Sequence, residues 1–307
     1  MSSMSIPASA PPTLSAARPR AGSARRDIRR LVRRCWSAAF GALVLLGMIT
    51  CALAAPWIAP YSPGQQDLLN SLLPPVWQPG GSWAHPFGTD QLGRDVLTWI
   101  IYGSRVSLVV GFSSVALSGA IGVVLGLVAG FYRRATDAVV MRLVEIQLAF
   151  PFVLMALLVA ALFGQGLGKL ILVLAVTGWA TYARVVRAET LAAHERPYIE
   201  AARSLGLSNA RIVLRHILPN ILSPIVVIAT FSVALMIIQE AALSFLGLGV
   251  PPSIPSWGGM LSDGRNYLAV AWWLGTLPGV AILIAVLGIN LLGDWLRDVF
   301  DPTLRNT

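Results

Sequence analysis

The stretch Lys169-Leu170-Ile171-Leu172-Val173-Leu174-Ala175-Val176-Thr177-Gly178-Trp179-Ala180-Thr181-Tyr182-Ala183-Arg184 decides the architecture. A helix crossing a bilayer needs roughly 20 mostly apolar residues, because backbone N–H and C=O groups find no water in hydrocarbon. Only fourteen uncharged residues separate Lys169 from Arg184, so both side chains would have to snorkel toward opposite interfaces. On hydropathy alone this is the weakest of six candidate spans. The other five, at about 37–58, 106–130, 142–163, 221–246 and 272–293, each hold at most one or two ionisable residues.

Charge bias settles the count, since loops rich in Lys and Arg stay in the cytoplasm. With six spans and both ends inside, the inner segments hold 19 of the 23 basic residues and the outer ones hold Arg94, Arg105, Lys169 and Arg265. Without the weak span, the six Arg between 184 and 215 would lie outside. Trp57, Trp99, Trp257, Trp272 and Trp273 fall near expected outer ends, and Trp36 and Trp295 near inner ends, as amphipathic rings do.

Composition agrees with a lipid-covered chain. Of 307 residues 56% are hydrophobic and 12% charged, with a mean hydropathy of +0.70, against about 25% charged in an average soluble domain. The net charge of +9 is spread between apolar blocks, which reads as topology and not as a nucleic-acid surface. Cys35 and Cys51 form no close motif, and His85, His194 and His216 are scattered, so neither a metal site nor a zinc protease is indicated. Residues 1–34, with Pro7, Pro11, Pro12 and Pro19 and eight Arg, read as a disordered basic cytoplasmic tail that meets anionic headgroups. Ala52-Leu53-Ala54 imitates a signal-peptide cleavage site, but the preceding tail is too long for an ordinary signal.

The division that follows is a first span with an extended periplasmic loop over 35–104, a five-helix core over 105–300, and a cytoplasmic end over 301–307. The outer loop at about 59–104 carries six prolines and the run Gly88 to Asp95, expected to form an ordered cap. There Asp90, Arg94 and Asp95 suit a local ion pair better than a calcium or substrate site. A second outer loop, about 247–271, is broken by Pro251, Pro252, Pro255 and Gly258-Gly259. The inner loop at about 189–220 is patterned for short amphipathic helices. Ala192, Ile199, Ala202 and Leu205, then Ile212, Leu214, Ile217 and Leu218, offer apolar faces, interrupted by Gly206 and closed by Pro219. Gly111, Gly119, Gly122, Gly126 and Gly130 would let the second span pack closely.

Glu200-Ala201-Ala202-Arg203-Ser204-Leu205-Gly206, followed by Leu218-Pro219-Asn220, resembles the EAA loop of ABC-importer permeases. His85-Pro86-Phe87-Gly88-Thr89-Asp90-Gln91-Leu92-Gly93-Arg94-Asp95, Leu148-Ala149-Phe150-Pro151, the run Glu240 to Gly249 and Asn290-Leu291-Leu292-Gly293-Asp294-Trp295 are similar to the dipeptide, oligopeptide and nickel branch, and the long first outer loop to its C-type subunit. The likeness covers about 35–303. It implies an all-α, six-span permease of the type I importer fold in the bacterial inner membrane, importing di- or oligopeptides by alternating access. It implies that Glu200, Ala201, Ala202, Arg203, Gly206, Leu218 and Pro219 contact an ATPase. The partners would be a homologous B-type permease, two ABC ATPase subunits or domains, and a periplasmic or lipid-anchored binding protein. Nickel or another small solute is the alternative cargo, and a secondary transporter is the rival mechanism.

The chain itself lacks the chemistry for ATP hydrolysis. Gly164-Gln165-Gly166-Leu167-Gly168-Lys169-Leu170 superficially suggests a phosphate loop, but Phe163 stands where the first Gly belongs and Leu170 where the magnesium-binding hydroxyl belongs. No cofactor is expected on this chain; ATP and Mg would be handled by the partner ATPases. Charges inside membranes are costly and functional more often than not. Glu145 lies near an inner end beside Arg142. Glu240 lies deeper and is expected to face the translocation path or the companion subunit.

Overall fold

The computed structural model describes residues 21–300, and side chains from Trp36 onward except that of Ala160. Residues 1–20 and 301–307, which include most of the expected tail and the C-terminal end, lie outside the described residues. The described residues form helices α1 (Ala21–Ile58), α2 (Val96–Tyr132), α3 (Arg134–Ala149), α4 (Phe152–Phe163), α5 (Leu167–His194), α6 (Pro197–Ser204), α7 (Asn209–Ile212), α8 (Leu222–Phe245), α9 (Trp257–Gly264) and α10 (Trp273–Phe300), with no strand among them. Five helices are long and apolar enough to cross a membrane, and α3 with α4 makes a sixth crossing if the bent pair counts as one.

The sequence reading needs three boundary corrections. Helix α1 begins at Ala21 and not at residue 35. The prolines stop at Pro19, and Ala, Arg, Leu and Ile all prolong a helix that a downstream span already nucleates. The first outer loop ends at residue 95, because Asp95 caps α2: its Oδ2 accepts from Thr98 N and Thr98 Oγ1, both at 2.8 Å. The expected continuous span 142–163 is broken by 91° between α3 and α4. Pro151 explains the break, since it has no N–H to give the preceding turn and biases Phe150 to the extended conformation it adopts, φ −82° and ψ 128°.

The weak span is a single 28-residue helix, α5, long enough at ~1.5 Å per residue to cross, with Lys169 and Arg184 inside it and reaching the interfaces by snorkelling. Its modest hydropathy has a packing cause. Leu174, Ala175, Ala180, Tyr182, Ala183 and Val186 are buried against protein, so fewer of its residues need to satisfy lipid. Gly122, Gly126 and Gly130 on α2 recur every four residues and lie against α5. A Cβ at Gly126 would stand 2.7 Å from the Ala183 carbonyl oxygen, and one at Gly130 would stand 2.6 Å from Thr190 Cβ. Any larger residue there would push the two backbones apart.

Outside this pair, α8 packs on α2 and α10, and α9 lies against α8 and α10. The main apolar core joins Val106, Val110 and Val115 of α2, Leu170 and Leu174 of α5, Val233 and Ile237 of α8, and Ile289 of α10. A second cluster sits at the end of α2 and α5 that carries Phe131 and Val186.

Candidate functional site: an apolar plug with an exposed face

The segment from Pro197 to Ile221 is built from short pieces because its sequence stops each one. Pro197 opens α6 at its first position, where a missing N–H costs nothing. Gly206 closes it with φ +74°, while Leu207 N donates to Ala202 O at 3.2 Å and Gly206 N to Arg203 O at 2.9 Å. That pair of bonds is the Schellman arrangement, which turns the chain out of a helix through a left-handed residue. No atom lies within 4 Å of where a Gly206 Cβ would be, so glycine is required there for its backbone angle and not for space. After α7 the chain makes one π turn, Val213–Ile217, and one 3₁₀ turn, Leu218–Ile221, containing Pro219.

Ile199, Ile212 and Ile217 are fully buried, and Ala202 and Ile221 nearly so, packed with Leu127 and Phe131 of α2 and Val186 and Ala193 of α5. The segment is therefore a plug pressed into the end of the α2–α5 pair. Arg203 adds a polar tie: its guanidinium bonds His194 Nε2 and lies 5.5 Å from the Phe131 ring centre. Glu200, Ala201, Ser204, Leu205 and Gly206 are exposed on the other side. Of the expected apolar faces, Ala192, Leu205 and Leu214 are not buried; the two leucines are 80% and 63% exposed. Leu205 is the residue at which α6 ends, and the π turn shifts Leu214 off the face that Ile212 and Ile217 share.

At the far end of the core, Arg94 is the centre of a buried cluster. Its Nε bonds Asp90 Oδ2, its Nη2 lies 3.3 Å from Asp263 Oδ2, and its guanidinium stacks 3.8 Å over the Trp99 ring. Asp90 Oδ1 also accepts from Leu92 N and Arg94 N, each at 2.8 Å. Asp95, besides capping α2, receives His85 Nδ1 at 3.1 Å. Trp257 Nε1 donates to Ile100 O at 2.9 Å and Trp273 Nε1 to Thr89 O at 3.2 Å, tying α9 to α2 and the start of α10 to the first outer loop. His85 and Asp263 were not foreseen as members, because nothing local in the sequence points to partners 10 and 169 residues away.

Glu240 faces neither a path nor an outer surface of this chain. It is fully buried, with Oε1 accepting from Ser244 Oγ at 2.8 Å and Oε2 without a hydrogen-bond partner among the described residues. Gly258 of α9 is pressed on Ala241 and Ser244 beside it. Glu145 is exposed and bonds Arg142 at 2.9 Å. The glycine-rich run is a turn between α4 and α5, with Gly164 at φ +74° and Gly166 at φ +146°, and Gln165 Nε2 donates to Gly247 O at 2.6 Å.

Comparison with known proteins adds the following. Residues 122–306 match the family model for the binding-protein-dependent transport system inner membrane component, and residues 23–75 match the N-terminal TM domain of oligopeptide transport permease C. The chain is 44% identical over 266 residues to the di/tripeptide transport system permease protein DppC of Pseudomonas aeruginosa, covering 87% of this chain and 88% of that protein. It is 44% identical over 273 residues to the dipeptide transport system permease protein DppC of Escherichia coli K12, covering 89% and 91%. Among solved structures, inward-facing MetNI methionine ABC transporter matches with a TM-score of 0.56 at 22% identity, covering 67% of this chain and 97% of that one, a likeness of fold.

Proposed function

The chain belongs to the family of binding-protein-dependent transport system inner membrane components, and on that premise we propose that it carries di- and oligopeptides from periplasm to cytoplasm as one permease subunit of an ATP-driven importer. It is a multi-pass protein of the inner membrane; both termini inside is the topology its charge bias favours. Relatives named for dipeptide and di/tripeptide transport support the cargo.

The observation that carries the coupling role is the two-sidedness of the 197–221 segment. Its buried side grips α2 and α5, and its exposed side presents Glu200, Ala201, Leu205 and Gly206, which no described residue covers. A thin face with small residues suits insertion into a groove on an ATPase subunit, where Glu200 can meet a cation. The remaining partners in this reading are a B-type permease, a second ATPase subunit or domain, and a periplasmic or lipid-anchored binding protein. ATP and Mg sit on the ATPases and not on this chain.

Transport then follows as a population shift between inward- and outward-open states, biased by ATP on one side and the loaded binding protein on the other. Closure of the ATPases pulls the plug, and Ile199, Ile212 and Ile217 pass that movement to α2 and α5 because a packed apolar contact transmits displacement with little slack. The test is Glu200→Arg in the assembled complex. Peptide uptake should fall by about tenfold or more, with membrane insertion and basal ATP turnover retained. Uptake and coupling at the unsubstituted level would remove the segment from this role.

A further inference from the structure

We propose that the cavity beside the α3–α4 bend is a transport subsite for the main chain of an extended peptide, which donates its N–H groups to acceptors lining it. This rests on the importer reading above and gives that reading a place on the path. The cavity measures about 220 Å³ and is lined by Gln147 of α3, Thr177 and Thr181 of α5, and Ser232 and Gln239 of α8, with Phe150 at the bend.

Three observations converge there. The backbone is broken by 91° at Phe150-Pro151 inside a segment expected to cross the bilayer, and irregular backbone at that depth persists only where protein buries it or where it lines a wet cavity. A helix that ends at Ala149 leaves its last carbonyls without the N–H groups of a following turn, so the break itself supplies acceptors. The lining adds a third feature: Gln147, Thr177, Thr181, Ser232 and Gln239 bring side-chain amides and hydroxyls from three helices around one space, and such groups favour a cavity content that hydrogen-bonds with them.

The lining chemistry narrows the ligand. All eleven lining residues are uncharged, so the cavity neither attracts nor repels a particular side-chain charge. Hydroxyl and amide groups at three helices address what every peptide shares, the N–H and C=O of its main chain. The volume exceeds the ~30 Å³ share of one water in the liquid and falls below the ~300 Å³ at which pockets begin to enclose a drug-sized molecule. It suits one or two residues of a chain in passage, with the rest of the peptide in the space shared with the companion permease.

The test uses the full complex with its binding protein and ATPases in proteoliposomes, with Cys35 and Cys51 replaced by Ser and Thr181→Cys introduced. A water-soluble methanethiosulfonate should label that site about tenfold more slowly during ATP turnover with saturating dialanine than without peptide. In a second variant, Gln239→Met, dialanine uptake should fall by about tenfold while the peptide-loaded binding protein still stimulates ATP hydrolysis. Equal labelling with and without dialanine means that the cavity holds water alone and overturns the proposal, whatever Gln239→Met does. Normal uptake by an assembled Gln239→Met complex overturns it as well. Should Gln239→Met fail to assemble, the labelling result decides. Failure of the unsubstituted complex to import dialanine would instead strike the importer reading from which the subsite follows.

Discussion

The two ends of the core are built on opposite principles. The cluster around Arg94 uses up its polar groups internally: Asp90, Asp263, Asp95 and His85 all bond within the chain, and most of them are buried. The plug at 197–221 does the reverse. Its shape comes from local backbone devices, the Schellman closure at Gly206 and the 3₁₀ turn at Pro219, and its hold on the core comes from Ile199, Ile212 and Ile217. Glu200, Ala201, Ser204 and Gly206 remain on its surface. A region whose hydrogen-bonding capacity is satisfied from within serves as a brace, and one that keeps an unspent face serves as a contact.

The comparison breaks most visibly at Arg94. Removing one member of a buried charge cluster leaves its partners unpaired in a poorly solvated site, at a cost of roughly 3–5 kcal/mol. Arg94→Met preserves volume and leaves Asp90 and Asp263 without their cation. The expected outcome is a large drop in thermal midpoint in detergent and loss of the native protease resistance of residues 59–95. If Arg94→Met melts with the unsubstituted protein, the outer loops are held by Trp257 and Trp273 alone and the brace is misidentified.

Gly206 should show a smaller stability effect and a larger functional one. A residue with a Cβ in the left-handed region costs roughly 1–2 kcal/mol, more for a branched side chain and less for Asn. Since no atom crowds the position, Gly206→Val strains only the local turn, reorienting α6 relative to α7. Uptake should collapse with Gly206→Val and return in part with Gly206→Asn, while the complex still inserts and assembles. Equal loss with both substitutions would mean that surface contact at Gly206, and not its φ, is what matters.

Most of the helical scaffold was readable because each span carries its own signal of length and apolarity. The weak stretch 169–184 needed the distribution of Arg outside it, and the reason is now physical: α5 is shielded by α2 and so is under less pressure to be apolar. What could not be read is non-local. The break at Pro151 was hidden inside an apolar run whose composition is the same whether the helix continues or turns. The Arg94–Asp263 pair joins residues that no motif links. Glu240 looked like a path-facing charge because its burial within the fold has no signature in its own neighbourhood. In the plug, the apolar periodicity placed Ile199, Ala202, Ile212 and Ile217 on the buried side, yet it also included the exposed Ala192 before the segment and Leu205 and Leu214 within it, the last two because the period of 3.6 fails where a glycine cap and a π turn interrupt the helix.

Leu205 therefore offers the finest division between brace and contact. It sits at the end of α6, 80% exposed, one residue from the Gly206 turn, while Ile199 on the same short helix is fully buried. Leu205→Glu removes no packing inside this chain, and a surface change of that kind alters stability by less than about 0.5 kcal/mol. Ile199→Ala, by contrast, empties a buried site and costs roughly 2–5 kcal/mol. If the exposed face is a docking face, Leu205→Glu should weaken co-purification of the ATPases and lower uptake, with the melting temperature of the isolated chain unchanged. Ile199→Ala should lower that melting temperature first and uptake as a consequence. Matching thermal and transport losses in both variants would show that the leucine is covered by this chain's own plug when the complex forms, and the line between buried grip and outward contact would have to be redrawn one residue further on.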